Sequence, residues 1–463
     1  MPACSTMEEI VFSPELTVPD TWVLQNLADD IQRHKEIKGA SKIDRDEGYS
    51  SANSNAKEAV NRPSTTEYGI SAERDASDIC RLTNLNDPKS NDFEPTVISS
   101  LDLPDLQAKL PTVVYKHVVL PYVAWAQTIV RHETDVLMLT HLILYFTTSL
   151  PSAVWLFYRF TYLHGVFHFA MQFWFLGTYT LMMHQHIHMR GILSKASPIL
   201  RLVDKLFPYI TDPLMGHTWN TYYYHHVKHH HIEGNGPDDL SSTIRYQRDE
   251  LLHFLHYVGR FLVLIWLDLP LYFLRTGRTA NAIKAAFWEL SNYTAIYTLF
   301  RLNSRATTFA FLLPLLLMRI GLMVGNWGQH AFVDADEPDS DFRSSVTLID
   351  VPSNRYCYND GYHTSHHLNP LRHWREHPVA FLRQKETYAT EKALVFHNID
   401  YLMITVRLLM KDYLTLAKCL VPIGDQMDLT LEERAEMLRR HTRRFSEEEI
   451  REKFPPRGKS KSK

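Results

Sequence analysis

The sequence predicts an all-α integral membrane protein: four transmembrane helices in two hairpins, with a helical cap at one membrane face. Three observations predict it. Val136 to Tyr158 and Tyr162 to Met183 are apolar stretches separated by Arg159-Phe160-Thr161. Ala285 to Phe300 and Ala306 to Trp327 are a second such pair, split by "RLNSR". The 25 histidines cluster after these pairs: nine lie between His184 and His231 and seven between His330 and His397.

The chain divides into three regions. Residues 1–105 read as a mostly disordered N-terminal region. Within them "DTWVLQNLADDIQRHK" has Leu24, Leu27 and Ile31 at helical spacing, which suits a short amphipathic helix. Ile37 to Ser100 is rich in Ser, Asn, Asp, Glu and Lys and reads as disordered or linker-like. Met1 to Pro14 has neither the basic start nor the apolar core of a cleavable signal peptide. Residues 106–425 hold the apolar segments and the histidines. Residues 426–463 are polar and basic. There "TLEE" at Thr430 and "SEEE" at Ser446 fit capping boxes opening two short helices.

Composition excludes some functions. Forty-nine Lys+Arg against 52 Asp+Glu give a net charge of −3, without the basic excess of a nucleic-acid surface. Cys4, Cys80, Cys357 and Cys419 are scattered, so no disulfide framework or zinc ribbon is expected. Their free state suits a reducing compartment.

Each apolar stretch can cross about 30 Å of hydrocarbon at about 1.5 Å per residue. Phe254 to Leu274 is also apolar, but Arg260, Asp268 and Pro270 interrupt it, so it is expected to lie in the interface or re-enter. If the first hairpin begins and ends on one side, His184 and the basic residues after it share that side. The positive-inside rule makes it cytosolic, with both termini. The second hairpin returns the chain there just before His330. "DYLMITVRLLMKDYLTLAKCLV" then reads as an interfacial helix. The final "KSKSK" resembles a retrieval signal of the endoplasmic-reticulum membrane.

The imidazoles can then be placed. In "HQHIHMRG", His184 and His188 are four apart on one helical face, and His186 points away. "YYYHHVKHHHIEGNG" offers His226 and His230 with either His229 or His231; His225 is turned aside. The HxxxHH spacing favours His231. "GNWGQHAFVD" sets Asn326 and His330 four apart. "YHTSHH" supplies His363, His366 and His367. His184, His188, His226, His230, His231, His330, His363, His366 and His367 make nine candidate ligands on one membrane face. Neutral imidazole is the commonest metal ligand. Nine exceed one ion's need and suit two, and nitrogen ligation favours iron, copper, zinc or nickel. Asn326, His229, His225 and His186 are supporting or alternative candidates. No HExxH of a zinc protease occurs, and the one ExxH, Glu250 to His253, reads as helix surface. His164 and His168 begin the helix that ends at His184, about 30 Å away, and read as structural. His141, His253 and His256 do likewise. His373 and His377 follow the last box and suit packing or a supporting hydrogen bond.

On "HQHIH", "HHVKHHH" and "HTSHH", over about residues 110 to 420, the sequence resembles the membrane fatty-acid desaturases of the desaturase–hydroxylase superfamily. The first box, HxxxH, is one residue shorter than in the acyl-CoA branch, and the second is overfull. The resemblance implies a four-helix membrane enzyme with a cytosolic di-iron centre held by the nine histidines. It implies that His330 binds iron and Asn326 holds a water. Its reaction removes two vicinal hydrogens from a long alkyl chain, reduces O₂ to water and uses two external electrons. The sequence has neither a dinucleotide fingerprint nor a haem-domain His-Pro-Gly-Gly. Electrons are therefore expected from a separate carrier, cytochrome b5 with its reductase. An apolar channel should lead from the bilayer to the irons. The alternatives are hydroxylation on the same centre, a non-catalytic relative and a metal carrier. A carrier would need ligands inside the spanning helices.

Overall fold

The computed structural model describes residues 10–47, 72–99 and 101–454. Its architecture rests on helices α1 (Val18–Glu47), α2 (Ala72–Asn86), α3 (Val136–Tyr158), α4 (Tyr162–Met189), α5 (Leu251–Arg275), α6 (Thr279–Leu302) and α7 (Ser304–Gln329). Among the described residues α3, α5 and α7 are long and apolar enough to cross a membrane. α4 and α6 are long enough, but carry polar residues such as His168, Gln172, Glu289 and Asn292 that are buried against other helices.

Both α3 and α7 pass a proline without ending. Proline lacks the N–H that closes an α-turn, and its ring crowds the preceding turn. In each helix a π-turn comes directly before it, Tyr145–Ser149 before Pro151 and Thr308–Leu312 before Pro314. The wider turn absorbs the misfit. α4 starts at Thr161, whose side chain accepts from His164 N–H, and stops at Arg190 in the left-handed region, φ 57°.

α5, expected in the interface or re-entrant, is one continuous helix through Arg260, Asp268 and Pro270. Arg260 pairs with Asp268 at 3.1 Å, so its two charges answer each other, and Pro270 is accommodated within it. Its two ends are held by the same layer. Phe254 packs on Trp327 at the end of α7, with ring centroids 5.4 Å apart, and Tyr257 receives a hydrogen bond from Asn326. At the other end Tyr272 donates to Glu233, and Arg278 just beyond it donates to Lys228 O. Lys228 lies within the histidine run and Glu233 two residues after it. Both ends of the helix thus meet the histidine layer, and its length and composition would let it cross a bilayer.

Between α4 and α5 the segment Phe207–Trp219 dips back among the long helices. Leu214 packs with Leu156 of α3 and with Ala306 and Ala310 of α7. Gly216 takes φ +81°, and a Cβ there would meet Pro314 O at 2.2 Å, so glycine is required.

The cap is not wholly helical. Strands β1 (Val346–Ile349), β2 (Leu394–His397) and β3 (Leu420–Val421) form a sheet in that order, β1 parallel to β2 and β3 antiparallel. All-α was therefore incomplete. The strands are four residues or fewer and buried on both faces, so they lack a strand's alternating signal. Leu348 and Phe396 face one core with Trp327, and Ile349 and Val395 face another with Val23 and Leu24 of α1.

That second core corrects the reading of the N-terminal region. Val23, Leu24 and Leu27 of α1 and Leu82 of α2 are buried against the sheet layer. Lys385 ties them down, bonding Asn26, Asp30 and Asp75. Residues 72–99 are therefore built into the cap, not linker; residues 48–71 lie outside the described residues. The expected interfacial helix after His397 is two short helices, Tyr401–Leu409 and Tyr413–Cys419, packed on α7. The capping boxes at Thr430 and Ser446 are present as expected. Their helices are docked, with Leu438, Phe445 and Ile450 buried. The "KSKSK" motif lies outside the described residues.

Candidate metal centre

Four separate elements deliver the imidazoles. The last turn of α4 carries His184 and His188. A π-helix, Tyr223–His230, carries His226 and His230 and is followed by His231. His330 ends α7. The short helix His363–Leu368 carries His363, His366 and His367. Its backbone is pinned to the sheet, Leu348 N–H donating to Gly361 O at 2.7 Å.

The nine nitrogens gather in two adjoining groups, each with its atoms within 4.8 Å of one another: His184, His188, His226, His231 and His366, then His230, His330, His363 and His367. The split cuts across the sequence boxes. His226 and His231 join one group while His230 joins the other. His366 likewise parts from His363 and His367. The groups touch through their rings, His231 and His367 lying 5.3 Å apart by centroid.

In the first group four Nε2 atoms close a ring: His184–His226 3.1 Å, His226–His231 3.0 Å, His231–His366 2.9 Å and His366–His184 3.0 Å. Hydrogen bonds cannot satisfy such a ring. A protonated Nε2 has no lone pair left to accept with, so at most alternate contacts could be bonds. A metal can satisfy it. Were the ring a flat square, its centre would be about 2.1 Å from each nitrogen, a metal–imidazole bond length, whereas tetrahedral ligands would be about 3.4 Å apart. His188, the fifth member, has a buried Nε2 without a partner. Five nitrogens exceed the four ligands of a closed tetrahedral zinc site and would suit an ion of higher coordination. In the second group His330–His363 is 3.3 Å and His363–His367 is 3.1 Å.

Seven of the nine imidazoles are held toward the neutral form that a ligand needs. Burial, aided by repulsion among the rings, holds His184, His226, His231, His363 and His366 well below the usual histidine range. The same causes bring His188 to about 4 and His330 to about 3.

Their far nitrogens are anchored. His230 Nδ1 lies 2.8 Å from Asp239 Oδ2, and His330 Nδ1 lies 2.6 Å from Ser344 O. Each contact sets the tautomer and turns Nε2 inward. Asp341 approaches His367 Nδ1 at 3.5 Å. Burial alone would raise the Asp239 carboxyl, but His230 and His229 outweigh it and hold it well below its usual range. Sequence reasoning missed Asp239, Asp341 and Ser344, because no spacing in the chain marks them.

The supporting candidates divide. His229 is fully buried outside both groups; its Nε2 accepts from Leu240 N–H at 2.9 Å and its ring lies 4.1 Å from that of Tyr272. The geometry therefore gathers His231, not His229. His225 stacks on His230 at 6.5 Å and is pushed down to about 3 by burial. With His229 and Asp239 it forms a smaller third group. His186 turns away to Asp204 O at 3.0 Å. Asn326 donates to Ser241 O and Tyr257 Oη at 2.8 and 2.7 Å. His164 and His168 share Ser152, far from both groups along α4. His377 meets Ser365 and His373 meets Asp135, each at 2.9 or 2.8 Å.

A cavity of about 190 Å³ opens onto the imidazoles. His184, His226, His230 and His363 stand at one end, with Asn326, and Leu181, Phe261, Met318 and Leu322 wall the rest. Gly177, Gly321 and Gly325 line it without side chains.

The sequence pattern of one protein family, described as fatty acid desaturase, matches residues 153–398, more than half of the chain. The match takes in all four elements that deliver the imidazoles, and it leaves α1 and α2 outside. No curated protein matches the chain, and no solved structure does.

Proposed function

The chain belongs to the fatty acid desaturase family, and from that premise we propose that it is an oxygen-dependent desaturase of long alkyl chains working with two iron ions. The observation that supports this most is the pairing of five and four converging imidazoles beside an apolar cavity. His184, His188, His226, His231 and His366 hold one ion, and His230, His330, His363 and His367 the other. Bound iron supplies the O₂ chemistry and redox capacity that side chains lack for breaking an unactivated C–H bond.

The chain's own residues supply the rest. Neutral imidazoles bind the ions without adding negative charge. Asp239 and Ser344 O hold His230 and His330 in one orientation. Leu181, Phe261, Met318 and Leu322 exclude water and align the alkyl chain past the imidazoles. Asn326, fixed by two hydrogen bonds, positions a water at the cavity wall.

In this reading α3–α4 and α6–α7 cross the bilayer as two hairpins. α5 lies along the interface, since a third crossing between them would put His330 on the wrong side. The histidine layer faces the cytosol of the endoplasmic reticulum. Electrons come from cytochrome b5 and its reductase, with O₂ as co-substrate.

The test is lipid profiling of a host expressing the protein, with products located by mass spectrometry. New double bonds should appear with the wild type and vanish with His184→Ala or His363→Ala. His164→Ala should retain them. Hydroxylated chains without alkenes would make the enzyme a hydroxylase. Unchanged lipids, with both groups loaded and electrons supplied, would defeat the catalytic reading.

A further inference from the structure

The cavity beside the imidazoles does not end on apolar side chains. A smaller pocket of about 40 Å³ adjoins it, sharing Tyr222, His225, Phe261, Met318 and Leu322 as walls. Beyond those shared walls stand Thr218 of the dipping segment and Arg319 of α7. Arg319 is 9% exposed and seven residues before Asn326, so it sits about 10 Å farther along α7. A charge at that position in an apolar helix is costly and calls for a reason.

Glu289 of α6 answers the charge. Arg319 Nη2 donates to Glu289 Oε1, Tyr293 Oη donates to the same oxygen, and Thr218 Oγ1 donates to Oε2 at 2.6 Å. Both carboxylate oxygens are therefore occupied. The guanidinium is not. It carries five N–H donors, and its polar neighbours are Glu289 and Tyr293. Arg248 shows what this fold does with an arginine buried for structure. Its guanidinium donates to five backbone carbonyls, of Ala331, Thr243, Tyr246, His441 and Arg443. Among the described residues Arg319 has no such cage, and it lines a pocket instead.

We infer that Arg319, held by Glu289, is a recognition group at the far end of the cavity and takes a hydrogen-bond-accepting oxygen carried by the alkyl substrate. The substrate class is then a long chain with a hydroxyl or carbonyl oxygen at the end that reaches α7. That oxygen fixes which carbons lie against the imidazoles. A donor-lined pocket rejects a bare hydrocarbon end, because the donors would be left unpaired. The inference rests on the cavity being the alkyl-chain site of the proposed function.

The test is equilibrium binding to the full-length, metal-loaded protein in lipid nanodiscs. Three radiolabelled probes of equal chain length are compared: an n-alkane, an alkyl methyl ester and its terminal-hydroxy counterpart. The wild type should bind an oxygen-bearing probe about tenfold or more tighter than the alkane. A hydroxy ester tighter than the ester assigns the oxygen to the chain; equal esters assign it to the carbonyl linkage. The double variant R319M/E289M removes both charges and avoids leaving Glu289 buried alone. It should bind all three probes alike, with alkane affinity kept. Equal binding of alkane and esters by the wild type overturns the inference. So does a preference that survives in R319M/E289M. Selective binding without any desaturated product would defeat the proposed function and leave this inference standing.

Discussion

His226 and His231 are five residues apart in the chain, yet their Nε2 atoms lie 3.0 Å from each other. On an α-helix residues i and i+5 diverge. Here the intervening backbone is a π-helix, Tyr223–His230, whose i→i+5 bonds bring such residues one above the other. The same winding stacks His225 on His230, again five apart, with an interplanar angle of 10°. It thus separates His226 and His231 from His230 and divides one histidine run between two groups.

The first prediction follows from that division. His231→Ala should empty the five-membered group and lower bound iron. His229→Ala should keep bound iron while lowering stability by about 2–4 kcal/mol, since it leaves a cavity and an unmet Leu240 N–H. Elemental analysis and thermal unfolding of both variants check this. An iron-free His229→Ala protein alongside a loaded His231→Ala protein would reverse the assignment.

Asp239→Asn should weaken the metal rather than the fold. It removes the charge that orients His230, and supporting carboxylates of this kind are worth about 10–100-fold in metal affinity. Chelator competition on the variant measures the shift. An affinity equal to wild type would mean that His230 needs no such anchor.

Asp20 should matter to a centre 343 residues away in the chain. It is fully buried, and its Oδ1 accepts from Tyr362 Oη at 2.8 Å and from Asn354 at 3.0 Å, just before His363. Asp20→Ala leaves both donors unmet, which should cost about 2–4 kcal/mol. It should also lower occupancy of the four-membered group, read by metal analysis of the folded fraction. Full occupancy in that variant would limit α1 to a packing role.

Acid should destabilise the metal-free protein. His188 at about 4 and His330 at about 3 lie below the ordinary value of 6.5, through burial first and neighbouring rings second. The unfolded chain therefore takes up these protons first. Stability is full above about pH 6.5 and falls as pH drops toward those values, by about 1.4 kcal/mol per pH unit for each histidine. Thermal unfolding of the metal-free protein across that range checks the sign. A midpoint unchanged from pH 7 to pH 4 would contradict it.

The sequence by itself determined the long apolar helices with the membrane character they imply, and the identity of the nine gathered imidazoles. Those signals are local. Apolar runs declare long helices, and histidines three or four apart declare shared faces. The capping boxes at Thr430 and Ser446 were legible for the same reason. Only the tertiary structure decided how the nine divide into five and four. That choice rests on a π-helix which no spacing announces, and on His366 parting from His363 and His367 toward different neighbours. Only the fold brought Asp239, Ser344 and Asp20 to the imidazoles, across gaps of nine to hundreds of residues. It also turned a polar N-terminal stretch into a packed wall. Val23, Leu24 and Leu82 are too few to build a core alone, and they become buried only where Ile349, Val395 and Phe381 meet them. Burial of that kind is a property of surfaces meeting across the chain, and a local pattern carries no record of its partner.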